Sequence, residues 1–169
     1  NTVIIGGSNN AITLSQYSLI GGGYGNAILS DSQHCVIVAG SQNRITQAPL
    51  GLGRDFIGAG ASNIIYGEHD VIVGGYWNQV SGSSSTIVGG YQNLSKGHYN
   101  FIGGGLNNLV TGDYSIVIGG NGNTAGFVGT NLYSIVAGGG SNRSFGNGAS
   151  VLGGINNLSS GDYSVSVGG

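Results

Sequence analysis

An aliphatic residue returns along the chain at nearly fixed intervals: Ile4, Ile20, Ile37, Ile57, Ile72, Ile87, Ile102, Val117, Val136 and Val151, with Ser166 closing the series. Two residues after each stands a small one: Gly6, Gly22, Ala39, Ala59, Gly74, Gly89, Gly104, Gly119, Gly138, Gly153 and Gly168. Four residues beyond the small residue comes Asn, at Asn10, Asn26, Asn43, Asn63, Asn78, Asn93, Asn108, Asn123, Asn142 and Asn157. The small residues are spaced by 16, 17, 20, 15, 15, 15, 15, 19, 15 and 15, so the chain is built on a 15-residue period with extra residues in four copies. Self-similarity at a fixed period is the signature of a repeat architecture.

The clearest copy is NNLVTGDYSIVIGG, Asn107 to Gly120, which returns as NNLSSGDYSVSVGG from Asn156 to Gly169. Each copy holds two short runs rich in Val, Ile, Tyr and Thr, here Asn108–Thr111 and Tyr114–Ile118, separated by Gly-bearing turns. Such runs read as strands. Helix is disfavoured, because each interior Gly costs about 1 kcal/mol relative to Ala. Two strands and two turns make one coil of a solenoid. The predicted fold is therefore all-β: a parallel β-solenoid, two-sheeted and flat, of about ten 15-residue coils. It spans residues 1–169 as a single domain, and a stacking step of about 4.8 Å makes it a rod roughly 50 Å long. The chain does not begin with Met and both ends fall in mid-repeat. The expectation is a segment of a longer fibrous chain, with further coils or end-to-end stacking at exposed edges.

The columns of the repeat carry more than the fold. Immediately before the aliphatic column lies a second, mostly apolar one: Val3, Leu19, Val36, Phe56, Val71, Phe101, Ile116, Ile135 and Val165. Neighbouring strand residues face opposite sides, so this strand is apolar on both faces, as expected where both are covered. One face fills the roll; the other calls for self-association along the rod. The Asn column has two readings: a ladder of ligands, or a structural stack in which each amide satisfies turn backbone and the Asn above it. The structural stack is the expected one. The Gly pairs supply positive φ at the corner. They resemble calcium-binding GGxGxD repeats at Gly22–Asn26 and Gly119–Asn123, but Asn stands at the acidic position and the period is not a multiple of nine, which excludes a calcium roll.

Composition narrows the function classes. Four Lys and Arg against six Asp and Glu leave a net charge of −2, too little basic character for nucleic acid. Charge this scarce is also below that of a typical soluble surface, which again suggests cover by partner chains. No apolar run approaches a membrane span, and no secretory signal is evident. A single Pro, Pro49, and no Gly-X-Y period exclude collagen. The lone Cys35 excludes an internal disulfide framework and a Cys-based zinc site. No cofactor and no metal is expected.

With the register in place, YSIVIGG and YSVSVGG, each tied to a polar turn and a second short strand, resemble the head repeats of trimeric autotransporter adhesins and the related repeats of phage and virus fibre proteins. The resemblance covers nearly the whole chain at the level of repeat pattern. It implies a left-handed parallel β-roll, three chains about one axis, and a place in an extracellular fibre on a bacterial surface or a virion. The adhesin repeat is usually slightly shorter and its turn differs from the GGxxN turn here, so the phage or virus fibre stands beside the bacterial one. The implied function is attachment to a host receptor or surface glycan, or a rigid spacer, rather than an enzyme.

Departures from the repeat mark candidate sites, because regular scaffolds carry function on irregular loops. Extra residues at Leu29–Gln33, Thr46–Arg54 and Gly126–Leu132 are expected to protrude from one edge, as a binding edge or as neutral drift. A polar cluster replaces Tyr-Ser over three coils: His34, Arg54 and His69 in one column, Cys35, Asp55 and Asp70 in the next, with Glu68 adding a carboxylate. Carboxylates in adjacent coils lie about 5 Å apart. Such pairs suit glycoside cleavage, and two His with carboxylates suit a metal; the plainer reading is a hydrogen-bonded patch filling the column. A polysaccharide-degrading spike using Asp55, Glu68 and Asp70 is thus the enzymatic rival. Aromatic residues gather after the Gly pair, at Tyr24, Tyr76, Trp77 and Tyr91, either as a sugar-stacking platform or as packing for a neighbouring chain. The column Tyr17, Tyr99, Tyr114, Tyr133 and Tyr163 is expected to be a structural ladder, and the N-x-S/T matches at Asn93, Asn142 and Asn157 to be incidental. Ice binding expects a Thr-x-Thr array, and no column holds one.

Overall fold

The computed structural model describes residues 1–46, 53–127 and 133–169. Over these residues the chain is all-β, with two parallel sheets wound as a β-solenoid of about ten turns. One sheet has eleven strands, from Val3–Ile4 to Val165–Ser166; the other has ten, from Ala11–Thr13 to Leu158–Ser159. The strands alternate between sheets along the chain, so each coil contributes one rung to each. Most strands are only two residues long. They are held by the coils above and below rather than by their own length.

The register is the one the small-residue column predicts. Val3 pairs with Leu19, Leu19 with Val36, Val36 with Phe56 and Phe56 with Val71. Those pairings reproduce the irregular intervals of 16, 17, 20 and 15. Farther on, Ile116 pairs with Ile135, an interval of 19. Pairing therefore resumes in register after each set of extra residues. Their effect on register is nil because a slip of one residue would turn the aliphatic column outward.

The core is a single file of aliphatic side chains from each sheet. Ile20, Ile37, Ile57, Ile72, Ile87, Ile102, Val117 and Val136 meet Ile28, Ile45, Ile65, Val80, Val110 and Ala125 from the opposite sheet, all fully buried. β-branched side chains suit such a stack, being stiff at χ1 and well packed on a pleated surface. A third ladder runs along one corner, where Ser8, Tyr24, Ser41, Ala61, Tyr76, Tyr91, Leu106, Asn121, Gly140 and Ile155 form successive single-residue parallel bridges. The roll has two sheets and, in addition, one edge of continuous one-residue pairing.

The corner between the two sheets explains the Gly pairs. The second Gly of each pair has positive φ, as at Gly75 and Gly90 (both +91°), and a Cβ there would collide with the carbonyl oxygen of the next coil. The first position is open at Gly89, with nothing near a Cβ, which is why Ala39 and Ala59 serve there. The second position requires Gly throughout, and the first does so only at Gly104, where φ is +152°.

The Asn column is a structural ladder. Each backbone N–H of the column donates to the Oδ1 of the Asn one coil earlier, at 2.9–3.1 Å, from Asn26 on Asn10 through Asn157 on Asn142. The side-chain amide donates twice to the corner: Asn93 Nδ2 reaches the carbonyls of Gly89 and Gly105, both at 3.0 Å. A buried amide with every bond made is stabilising, whereas a half-satisfied one is not. The same engagement accounts for Asn93, Asn142 and Asn157 as N-x-S/T matches without a free acceptor amide.

Candidate functional site

The polar cluster forms at the second corner, and the structure divides it. At this corner the residue two before the strand points outward on a left-handed backbone: φ is 56° at His34, 70° at Arg54, 58° at His69 and 58° at Tyr99. The next residue turns inward. His34, Arg54 and His69 are thus exposed, while Cys35, Asp55 and Asp70 lie inside the wall, the two carboxylates at 1% and 0% exposure. Glu68 is half-buried beside them and its carbonyl accepts the Ser84 N–H at 2.8 Å. Of the two readings of this cluster, the inward residues form the plainer one, a hydrogen-bonded patch that fills the column. Histidines and carboxylates face opposite sides of one strand end, so His34 and His69 do not converge with Asp55 and Asp70 on one metal or substrate.

What the inward column forms is a second polar ladder. Cys35 N–H donates to Ser18 Oγ (3.1 Å), Asp55 N–H to Cys35 Sγ (3.4 Å), Asp70 N–H to Asp55 Oδ1 (2.9 Å) and Ser85 N–H to Asp70 Oδ1 (2.8 Å). Farther along, Asn100 N–H donates to Ser85 Oγ, Ser115 N–H to Asn100 Oδ1, and Ser134 N–H to Ser115 Oγ. Short side chains fill the column, and Ser, Cys, Asp and Asn add an acceptor for the next coil; Ala149 has none, and its own N–H donates to the Gly146 carbonyl instead. Asp55 and Asp70 answer a backbone requirement of the fold.

The Asp choice carries an electrostatic consequence. Asp70 Oδ2 is buried and has no hydrogen-bond partner among the described residues. Burial pushes its carboxyl up to about 8; the Ser85 N–H opposes that rise, while Asp55 and Glu68 add to it. An unpaired carboxylate in a dry interior holds its proton. The Cys35 thiol is likewise pushed up to about 12, mainly by burial, and its S–H faces the Gln33 carbonyl at 3.3 Å and Asp55 Oδ2 at 3.7 Å. A protonated, buried thiol is a structural residue rather than a nucleophile.

The outward column is aromatic wherever it is not His, Arg, Ser or Gly. Tyr99 and Tyr114 stack at 4.9 Å with planes 7° apart, Tyr114 and Tyr133 at 5.1 Å and 23°, and Tyr17 with His34 at 5.1 Å and 13°. The expected tyrosine ladder is therefore real where tyrosines are consecutive.

The aromatic group after the Gly pair is assembled in part. Tyr76 and Tyr91 are consecutive rungs of the corner ladder, and Trp77 lies against Tyr91 at 5.5 Å, tilted by 53°. All three are exposed. Tyr24 sits on the same ladder, but Ser41 and Ala61 separate it from Tyr76. It stands apart. Of the extra segments, Leu29–Gln33 follows the coil below for two residues, with Ser30 N–H on the Thr13 carbonyl and Asp31 N–H on that of Leu14, then folds Ser32 inward. Residues 47–52, with Pro49, and 128–132 lie outside the described residues, so most of the other two segments does as well.

The outer face of the eleven-stranded sheet emerges as a third feature, only half visible in the sequence. Two columns point outward from each strand: Val71 with Val73, Ile116 with Ile118, and so on along the rod. Val73 is 48% and Ile118 55% exposed. No Asp, Glu, Lys or Arg occupies either column. Gly appears in the second column at Gly21, Gly58 and Gly103, each beside a bulky partner: Leu19, Phe56 and Phe101. The Phe56 and Phe101 rings lie across their Gly, with Cε1 at 3.3 and 3.4 Å from where a Cβ would stand. At Gly21, Gly58 and Gly103 a Cβ would also collide with a carbonyl oxygen of the next coil, that of Val38, Val73 and Ile118 respectively. Comparison with protein-family models and with curated proteins finds no match.

Proposed function

We propose that this chain is a segment of a trimeric extracellular fibre, on a bacterial surface or a virion, that serves in attachment or as a rigid spacer. The observation that carries this reading is the charge-free, mostly apolar outer face of the eleven-stranded sheet. It runs the length of the rod, about 48 Å by roughly 10 Å, or on the order of 500 Å², which is at the upper end of what monomers leave exposed. Three rolls turning this face to a common axis would cover it. The remaining surface then holds nearly all the charge, including Arg44, Lys96 and Arg143 beside the ten-stranded sheet. The resemblance of YSIVIGG to trimeric fibre repeats points the same way.

A phage or virus tail fibre fits this face as well as a bacterial adhesin does. Polysaccharide cleavage at Asp55, Glu68 and Asp70 fits less well, because a catalytic carboxylate must reach its substrate and both Asp side chains face the inside of the roll. The reading is therefore of a non-enzymatic fibre. Sedimentation equilibrium at micromolar concentration tests it. A trimer is expected, and the double variant Val73→Glu with Ile118→Glu is expected to sediment as a monomer with unchanged β-type circular dichroism. A well-folded monomeric wild type would refute the assembly.

A further inference from the structure

The corner between the sheets imposes a left-handed backbone on the residue before every ladder Asn, with φ between 54° and 67° at all ten positions. Nine of those positions hold Asn, Gln, Ser or Gly, of which Gly and Asn adopt this conformation most readily. The tenth is Trp77, at φ 56°. A bulky side chain held there is strained, and such strain persists where something else is gained.

Packing within the chain does not supply that gain. On the other corner, Tyr99 and Tyr114 also hold a left-handed backbone, at φ 58° and 54°, and their rings stack with planes 7° apart. Trp77 is exposed to a similar degree but touches Tyr91 only at a tilt of 53°. Its backbone is firmly placed, with the N–H on the Ala61 carbonyl at 3.1 Å, and Tyr76 and Tyr91 donate to the carbonyls of Gly90 and Gly105 at 2.9 Å each. Three aromatic rings are thus presented outward within two coils by a rigid ladder. Ser62 and Gln92 flank Trp77 in its own column, and residues 59–63, 74–78 and 89–93, which form these three corners, include no charged side chain.

We infer that the Trp77, Tyr76 and Tyr91 corner is a stacking site for a neutral saccharide. A pyranose offers a flat patch of C–H groups with hydroxyls at its rim. The patch matches an exposed indole flanked by phenols, and the rim matches the hydroxyl of Ser62 and the amide of Gln92. Absence of charge at the corner selects a neutral sugar over an acidic one. Aromatics on consecutive rungs, about 5 Å apart, accommodate one or two rings. This inference deepens the attachment reading by naming a ligand class, and it rests on that reading only for its biological purpose.

Trp77 is the sole Trp of the chain, so its fluorescence reports the site directly. The test titrates the protein with cellohexaose, maltohexaose, chitotriose and mannohexaose, with hexagalacturonate as the charged counterpart, after a glycan-array screen. Saturable emission change with at least one neutral oligosaccharide is expected. Calorimetric affinity should fall at least about tenfold in Trp77→Asn, which keeps or raises its thermal midpoint because Asn is native to this column at Asn9, Asn107 and Asn156. The inference is overturned if no neutral glycan binds, if only hexagalacturonate binds, if Trp77→Asn binds as wild type does, or if that variant loses several degrees of midpoint. Sedimentation run in parallel separates the two readings. A trimer that binds no sugar refutes the site alone, and a monomer that binds refutes the assembly alone.

Discussion

Replacing Asp70 by Asn should remove a pH dependence that the fold builds into its own wall. Asp70 Oδ1 accepts the Ser85 N–H at 2.8 Å, but Oδ2 is buried without a partner, and its carboxyl is pushed from the ordinary value of 3.8 to about 8. Burial is the main cause, with the charges of Asp55 and Glu68 adding to it. A raised carboxyl binds a proton in the folded chain that the unfolded chain has released. Stability from this group is therefore complete below about pH 4 and is lost as pH rises through about 8. The slope in that window is about 1.4 kcal/mol per pH unit, so the full loss is roughly 5 to 6 kcal/mol. That is a large share of a domain's typical stability. Asn fits the column, since Asn100 already accepts the Ser115 N–H through Oδ1 at 2.9 Å. Urea unfolding followed by circular dichroism at pH 5, 6, 7, 8 and 9 is the assay. The wild type should weaken steadily with pH, and Asp70→Asn should be flatter by about 1.4 kcal/mol per unit between pH 5 and 8. Parallel profiles for the two proteins would show that Asp70 does not hold its proton, and the reasoning from burial would fail.

Two further predictions concern the other corner. Asn93→Ala deletes the acceptor of the Asn108 N–H and both amide bonds to Gly89 and Gly105, so a loss of about 3 kcal/mol or more is expected from the stranded buried groups; a change within 1 kcal/mol in denaturant unfolding would contradict the ladder's role. Gly90→Ala places a Cβ against the Gly105 carbonyl at φ +91° and should destabilise by about 2 kcal/mol or more. Its neighbour Gly89→Ala meets nothing within 4 Å and should be neutral or stabilising by up to about 1 kcal/mol. Equal thermal midpoints for the two variants would be inconsistent with this geometry.

Much of the fold was legible because a solenoid translates the sequence almost directly into space. A side chain that must lie over its predecessor recurs at the interval between coils, so the irregular intervals around Ala39 and Ala59 are read off as the Cα pairings of Val36 with Phe56 and Phe56 with Val71. The Asn ladder was legible for the same reason. For the polar cluster, a hydrogen-bonded patch filling the column was legible, but which of its side chains face inward was not. Asp55 and Arg54 are neighbours in sequence and their columns are neighbours on paper, but the left-handed residue at that corner throws Arg54 outward and Asp55 inward. The alternation that exposed the doubly apolar strand applies here too, and it was the available signal.

The sequence by itself determined the period, the register, the aliphatic file and the identity of each obligatory Gly corner, because each is imposed by stacking like on like. Only the tertiary structure decided that acceptors in the inward column relay hydrogen bonds from coil to coil, so that buried Asp serves the backbone there. It alone brought Trp77 onto Tyr91 and left Tyr24 apart. It also laid the Phe56 and Phe101 rings across Gly58 and Gly103 on the outer face. These facts depend on where side chains point at a corner and on what lies one coil away. A column records the residue type at each level; the fold decides which side of the wall that residue occupies.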